Sequence, residues 1–218
     1  MNLHLKISLL FSFVALLAHS QSEVIELDCK GKKIPVRINL PEAYTASKSY
    51  PVLIGPGLDN GNLEMGCRYF GVNPKQAQWI LVESSIHRED RIAVSALLDH
   101  LDSYYRTTET FILGFSANSV DAFHIASIYN DRIDGVIGMP GNPDIRSIKE
   151  HADQQILMIV GERDTHWKQR AERAKVVLDQ QGCQSELVIV PGGGHILDEL
   201  AGEALFSILD KKLKLKRD

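Results

Sequence analysis

The chain has 218 residues, 44% of them hydrophobic and 24% charged, with a formal net charge of −4. These values exclude a disordered or collagen-like chain, and a single domain of this length buries roughly 70% of its unfolded surface without a disulfide scaffold or a structural metal. The acidic balance lacks the concentrated positive surface that nucleic acid demands, so nucleic acid is not an expected partner.

The first elements are not part of a fold. Lys6 precedes an apolar run from Ile7 to Leu17, and Ala18-His19-Ser20 follows with small residues on either side of His19. A charged start, an apolar stretch too short to span a bilayer comfortably and a small-residue site form the layout of a secretory signal peptide. Residues 1–20 are therefore expected to be removed after Ser20, leaving a folded domain over 21–218. That cut would leave 23 basic and 28 acidic residues, a charge of −5, in an exported chain without stable membrane insertion. Export permits disulfides, but the three cysteines, Cys29, Cys67 and Cys183, leave at least one thiol over. No Cys-x-x-Cys or His-Glu-x-x-His spacing is present, so no metal site is expected.

Val24–Asp28 and Ile34–Leu40 read as two strands joined by a turn at Lys30-Gly31-Lys32-Lys33, with apolar and polar residues alternating in the second. This predicts an antiparallel edge hairpin. From Pro51 onward, continuous apolar runs take over: Val52–Ile54, Trp79–Val82, Phe111–Leu113, Gly135–Gly138, Ile156–Val160 and Leu187–Val190. Runs apolar on both faces suit strands buried in a parallel sheet. Amphipathic stretches separate several of them, at Arg91–Tyr105, Asn118–Tyr129 and Thr165–Gln181, with His195–Leu215 closing the series. The alternation predicts one α/β domain, a mostly parallel sheet flanked by helices. No insert is long enough to form a large cap.

The chemistry is carried by three junctions. Thr110–Leu113 runs into Gly114-Phe115-Ser116, and a helical pattern follows at once. It is the chain's one Gly-x-Ser, placed where a strained strand-to-helix turn would push a serine hydroxyl out above the sheet. The same turn would set the Ala117 N–H at a helix N-terminus, ready to stabilise an oxyanion. Taken alone, Ser116 fits a helix N-cap equally well. Its partners decide the reading. Asp164, in Gly161-Glu162-Arg163-Asp164, and His195, in Pro191-Gly192-Gly193-Gly194-His195, each follow a late strand. Sites in open parallel sheets form at that edge. Ser116 as nucleophile, His195 as general base and Asp164 as the group that orients it make a serine-hydrolase triad. The glycine run would give the His195 loop its conformational freedom. Leu58, in the loop after Val52–Ile54, is the candidate second oxyanion donor. That loop, Gly55-Pro56-Gly57-Leu58, does not read as a dinucleotide fingerprint, because its glycine spacing is wrong and Pro56 has no N–H for a phosphate. Asp144 is a rival to Asp164, although its proline-rich surroundings suggest a turn. His87, His124 and His166 read as surface or helix residues, and the basic stretch Lys211–Arg217 as a solvated helix end.

On the Gly114-Phe115-Ser116 elbow, the Asp164 and His195 loops and their order, the chain resembles uncapped esterases of the α/β-hydrolase superfamily. The resemblance is to polyhydroxybutyrate-depolymerase-like and dienelactone-hydrolase-like proteins, over about Tyr50 to Leu209. It implies cofactor-free hydrolysis of a small-molecule or polymer-derived ester through an acyl-enzyme. Two residues depart from the pattern. Asn118 stands where glycine usually follows the serine by two, and Pro56-Gly57 stands where the oxyanion loop usually opens with His-Gly. A serine peptidase or acyltransferase with the same triad, and a hydrolase-fold binding protein with a decayed site, are the competing readings.

Overall fold

The computed structural model describes residues 22–55, 77–84 and 91–216, so the predicted signal peptide, Cys67, His87 and the Leu58 loop lie outside the described residues. Eight strands form one sheet in the order β1-β2-β4-β3-β5-β6-β7-β8. β1 (Ser22–Cys29) and β2 (Lys32–Asn39) are the predicted hairpin, in antiparallel register from Ser22 opposite Asn39 to Cys29 opposite Lys32. Lys30 and Gly31 have φ of 55° and 82° at its turn, the two left-handed residues a tight hairpin needs. The Asp28 carboxylate accepts the Gly31 N–H at 3.1 Å and pairs with Lys33 at 2.9 Å. β2 also runs antiparallel to β4 (Ile80–Ser84), so β1 alone is the outer strand there. Ile34, Val36 and Ile38 of β2 face the core, which explains the alternation.

β4, β3 (Tyr50–Gly55), β5 (Thr107–Gly114), β6 (Gly135–Gly138), β7 (Gln155–Gly161) and β8 (Ser185–Val190) are parallel. The middle strands are buried on both faces, as continuous apolar runs require. β8 has an equally apolar run but is half exposed, because it ends the sheet and no strand among the described residues pairs its outer side.

Alternate residues feed two cores. Val52, Ile54, Ile112 and Met158 pack under α1 (Arg91–Tyr104), α2 (Ala117–Ile128) and α3 (Thr165–Gln180) through Leu97, Leu101, Ala122, Phe123, Ala171 and Leu178. Leu53, Phe111, Leu113 and Leu157 pack on the opposite face against Leu205, Phe206 and Leu209 of α4 (Glu203–Lys212). The last amphipathic segment is shorter than His195–Leu215. A turn carries His195, a 3-10 turn covers Asp198–Leu200, and α4 begins after Gly202. Cys29 and Cys183 are both buried, with no bridge between them.

Candidate active site

Ser116 sits between β5 and α2 with φ 52° and ψ −120°, a left-handed conformation rare for any residue with a side chain. The strain is held in place from three sides. The Ser116 N–H donates to the Pro140 carbonyl at 2.9 Å. Its own carbonyl accepts both the N–H and the hydroxyl of Ser119, at 3.0 and 2.6 Å. Below it, Gly114 lets strand and helix touch: a Cβ there would stand 2.4 Å from the Ser119 Cα and 2.8 Å from the Ala122 Cβ. Ser116 therefore occupies the N-cap position without capping through its side chain, and its hydroxyl is left for chemistry.

The hydroxyl meets His195, whose Nε2 lies 3.0 Å from Ser116 Oγ. His195 Nδ1 lies 2.6 Å from Asp164 Oδ2. Asp164 has a second role: its Oδ1 accepts the Trp167 N–H at 3.2 Å and caps α3. Its two oxygens thus have separate partners, Oδ2 facing His195 and Oδ1 capping α3. Its side chain is 8% exposed and that of His195 44%, so the acid is sheltered while the imidazole opens to solvent. The Phe115 ring leans on the imidazole with centroids 5.5 Å apart.

Two loops are stitched together to hold this pair. Glu162 N–H donates to the Val190 carbonyl and Arg163 N–H to the Gly193 carbonyl, both at 2.9 Å, and the Glu162 carboxylate accepts the Gly192 N–H at 2.8 Å. Gly161 makes the approach possible, since a Cβ there would lie 2.1 Å from the Gly194 carbonyl oxygen. Sequence reasoning assigned the conformational demand to Gly192–Gly194. Of these only Gly192 has a positive φ, at 65°, and the tightest steric requirement falls on Gly161 across the crossing, with a lesser one at Gly193, whose Cβ would lie 2.8 Å from the Leu197 side chain.

Of the two oxyanion candidates, only Ala117 lies within the described residues. Ala117 is exposed at the first position of α2, and the N–H groups of Ser116, Asn118 and Ser119 on either side are all spent on carbonyls. Leu58 lies outside the described residues. Asn118 is buried with helical backbone, so asparagine's tolerance of unusual angles is not used there; that burden falls on Ser116. Asp144 is exposed and tied to Arg146 at 2.5 Å, a hydrogen-bonded pairing that lowers its carboxyl pKa to about 2. The structure thus places it in an ion pair of its own rather than on His195. His124 and His166 are exposed on α2 and α3. Among the described residues no group of three or more potential metal ligands occurs. The parts sequence reasoning missed are the Pro140 carbonyl, Ser119 and Glu162. Only the packing of loops distant in sequence reveals them.

No protein-family profile matches the chain, and a search of curated sequences finds no match. Solved structures do match. A truncated carbohydrate esterase from gut microbiota superposes with a TM-score of 0.64 at 15% identity, over 88% of this chain and 95% of the other. A dienelactone hydrolase-like protein from Klebsiella pneumoniae gives 0.62 at 11% identity, over 87% and 96%. A thermostable esterase gives 0.59 at 16% identity over 88% of this chain, which spans only 60% of that protein's length. The eight-stranded sheet, the elbow after β5 and these likenesses together establish that the chain has the α/β-hydrolase fold.

Proposed function

We propose that the protein is a serine hydrolase that cleaves carboxylic esters through an acyl-enzyme. The observation that carries this is the unbroken relay from Ser116 Oγ to His195 Nε2 at 3.0 Å and from His195 Nδ1 to Asp164 at 2.6 Å. Neutral His195 takes the hydroxyl proton as Ser116 attacks the ester carbonyl and returns it to the departing alcohol; water then repeats the cycle on the acyl-enzyme. Asp164 keeps the imidazole in the tautomer with its proton on Nδ1 and stabilises the imidazolium. The Ala117 N–H meets the developing oxyanion, backed by the N-terminus of α2. Leu58 N–H is the proposed second donor.

The ester assignment is supported by the esterases among proteins of the same fold and by the ease with which an alkoxide leaves compared with an amine. The geometry supports catalysis over a decayed binding site, because three residues 31 to 79 positions apart meet at hydrogen-bonding distance. Residues 1–20 serve export in this reading, and the mass of the exported chain would begin at Gln21. Turnover of short-chain 4-nitrophenyl esters tests the proposal. The protein should hydrolyse them and Ser116→Ala should lose at least 10³-fold in kcat, on the scale of triad deletions. A folded protein inert toward them, or a fully active Ser116→Ala, would refute it.

A further inference from the structure

The crossover from β6 to β7 contains no α-helix. Between Gly138 and Gln155 there is only a 3-10 turn at Ile148–His151, although α2 and α3 stand on that face of the sheet on either side. A groove of about 890 Å³ occupies the space, walled by Val120 and His124 of α2 and by Arg170 and Arg173 of α3. That volume is ordinary for a small-molecule site. One end begins close in sequence to the elbow. Val120 is one helical turn beyond Ser116, and the buried Asn142 is two residues from Pro140, whose carbonyl holds the Ser116 N–H. Two residues span at most about 7 Å.

The charge on the walls is specific in sign. Arg146 is neutralised by Asp144, and Glu150 is the remaining acid. Arg170 is fixed by its Nε–H to the Asn142 amide oxygen at 3.3 Å and by the Trp167 ring, whose centroid is 4.9 Å from the guanidinium carbon. Its two terminal nitrogens make no hydrogen bond or ion pair among the described residues, with Asp144 in electrostatic reach of the guanidinium, and the Arg173 guanidinium one turn further on makes none either. Two arginines one turn apart on one wall, one of them already oriented, offer the kind of donors that suit a carboxylate or phosphate.

We propose that this groove binds an anionic small molecule through Arg170 and Arg173, and that the anion is the remote acidic arm of the ester cleaved at Ser116. The second part rests on the hydrolase reading above; the first does not. A separate anionic effector shares the same chemistry, and the test divides the two. Turnover of the mono-4-nitrophenyl ester of adipic acid is compared with that of 4-nitrophenyl hexanoate, and adipate binding is measured by calorimetry, in the wild type, in R170Q/R173Q and in E150Q. The ratio of kcat/KM for the acidic over the neutral ester should fall about tenfold or more in R170Q/R173Q and rise in E150Q, where the opposing charge is gone. The use of both a loss and a gain separates the site from a folding defect. Adipate binding that disappears in R170Q/R173Q with an unchanged ester ratio would keep the anion site and overturn its identity as a substrate arm. Adipate binding with no turnover of either ester would keep the groove and overturn the hydrolase reading. Absence of adipate binding with equal ratios in all three proteins would overturn the anion site itself.

Discussion

Asp164 offers a way to separate a structural from a catalytic carboxylate, because its two oxygens do different work. Oδ1 caps α3 through the Trp167 N–H at 3.2 Å, and Oδ2 reaches His195 at 2.6 Å. Asparagine caps a helix about as well as aspartate. Asp164→Asn should therefore keep the cap and lose only the interaction of the negative charge with the helix dipole, about 0.3–1 kcal/mol. Asp164→Ala loses the cap as well, a further ~1 kcal/mol, and each kcal/mol lowers Tm by about 2–4 °C in a domain of this size. Activity should follow a different order. With the asparagine oxygen on Trp167, its amide nitrogen faces His195 Nδ1, and two donors cannot share one bond. The imidazole then takes the wrong tautomer for accepting the Ser116 proton, a defect of about 10⁴-fold in kcat in triads of this kind. Both variants should lose activity on that scale with little change in KM, while only the alanine variant melts clearly lower. Melting curves and 4-nitrophenyl ester kinetics read the two effects side by side. Asp164→Asn retaining activity within tenfold of the wild type would show that Asp164 only caps the helix and would refute the reasoning.

Gly114→Ala should disrupt the elbow, since its methyl would lie 2.4 Å from the Ser119 Cα; a loss of about 1–3 kcal/mol in chemical denaturation is expected from overpacking, with ester turnover falling alongside, and an unperturbed variant would contradict the close crossing. Ser119→Ala removes the 2.6 Å hydroxyl bond to the Ser116 carbonyl but keeps the backbone one. It should lower kcat a few-fold to tenfold with KM unchanged, by loosening the peptide that carries the Ala117 N–H; an equal effect on KM would point to general disorder instead. His151 is buried against Phe123 and Gln154, and burial pulls its imidazole below the ordinary value of about 6.5. The unfolded chain therefore binds a proton there that the folded chain refuses, so stability is held above about pH 6.5 and lost as pH falls through that value toward the lower folded one. Melting temperature between pH 8 and pH 5 should decline more steeply in the wild type than in His151→Gln, and parallel slopes would refute the assignment.

The sheet was legible in the sequence because burial leaves a pattern. Strands covered on both faces read as unbroken apolar runs, and the half-wet β2 reads as an alternation. β8 shows the limit of that rule: Leu187–Val190 is as apolar as β7, and its place at the end of the sheet is decided by what the rest of the chain leaves unpaired. The site was legible where chain order and strand ends sufficed, which is why Ser116, Asp164 and His195 could be named and are found in contact. What was not legible depends on the approach of distant loops. The Pro140 carbonyl and the Glu162 carboxylate look ordinary in sequence, and nothing local in Gly161 announces that the Gly194 carbonyl passes over it. The groove beside α2 had no sequence signal either, because it arises from a helix that the β6–β7 crossover does not form.

The most direct test of the account is the site of covalent labelling by a fluorophosphonate. Incubation of the folded protein with the probe, followed by peptide mass spectrometry, should place a single adduct on Ser116. The adduct should be absent from Ser116→Ala and form far more slowly in His195→Ala, whose serine lacks its base. An unlabelled Ser116 in folded wild-type protein, or labelling at the same rate without His195, would contradict a nucleophile activated by this triad.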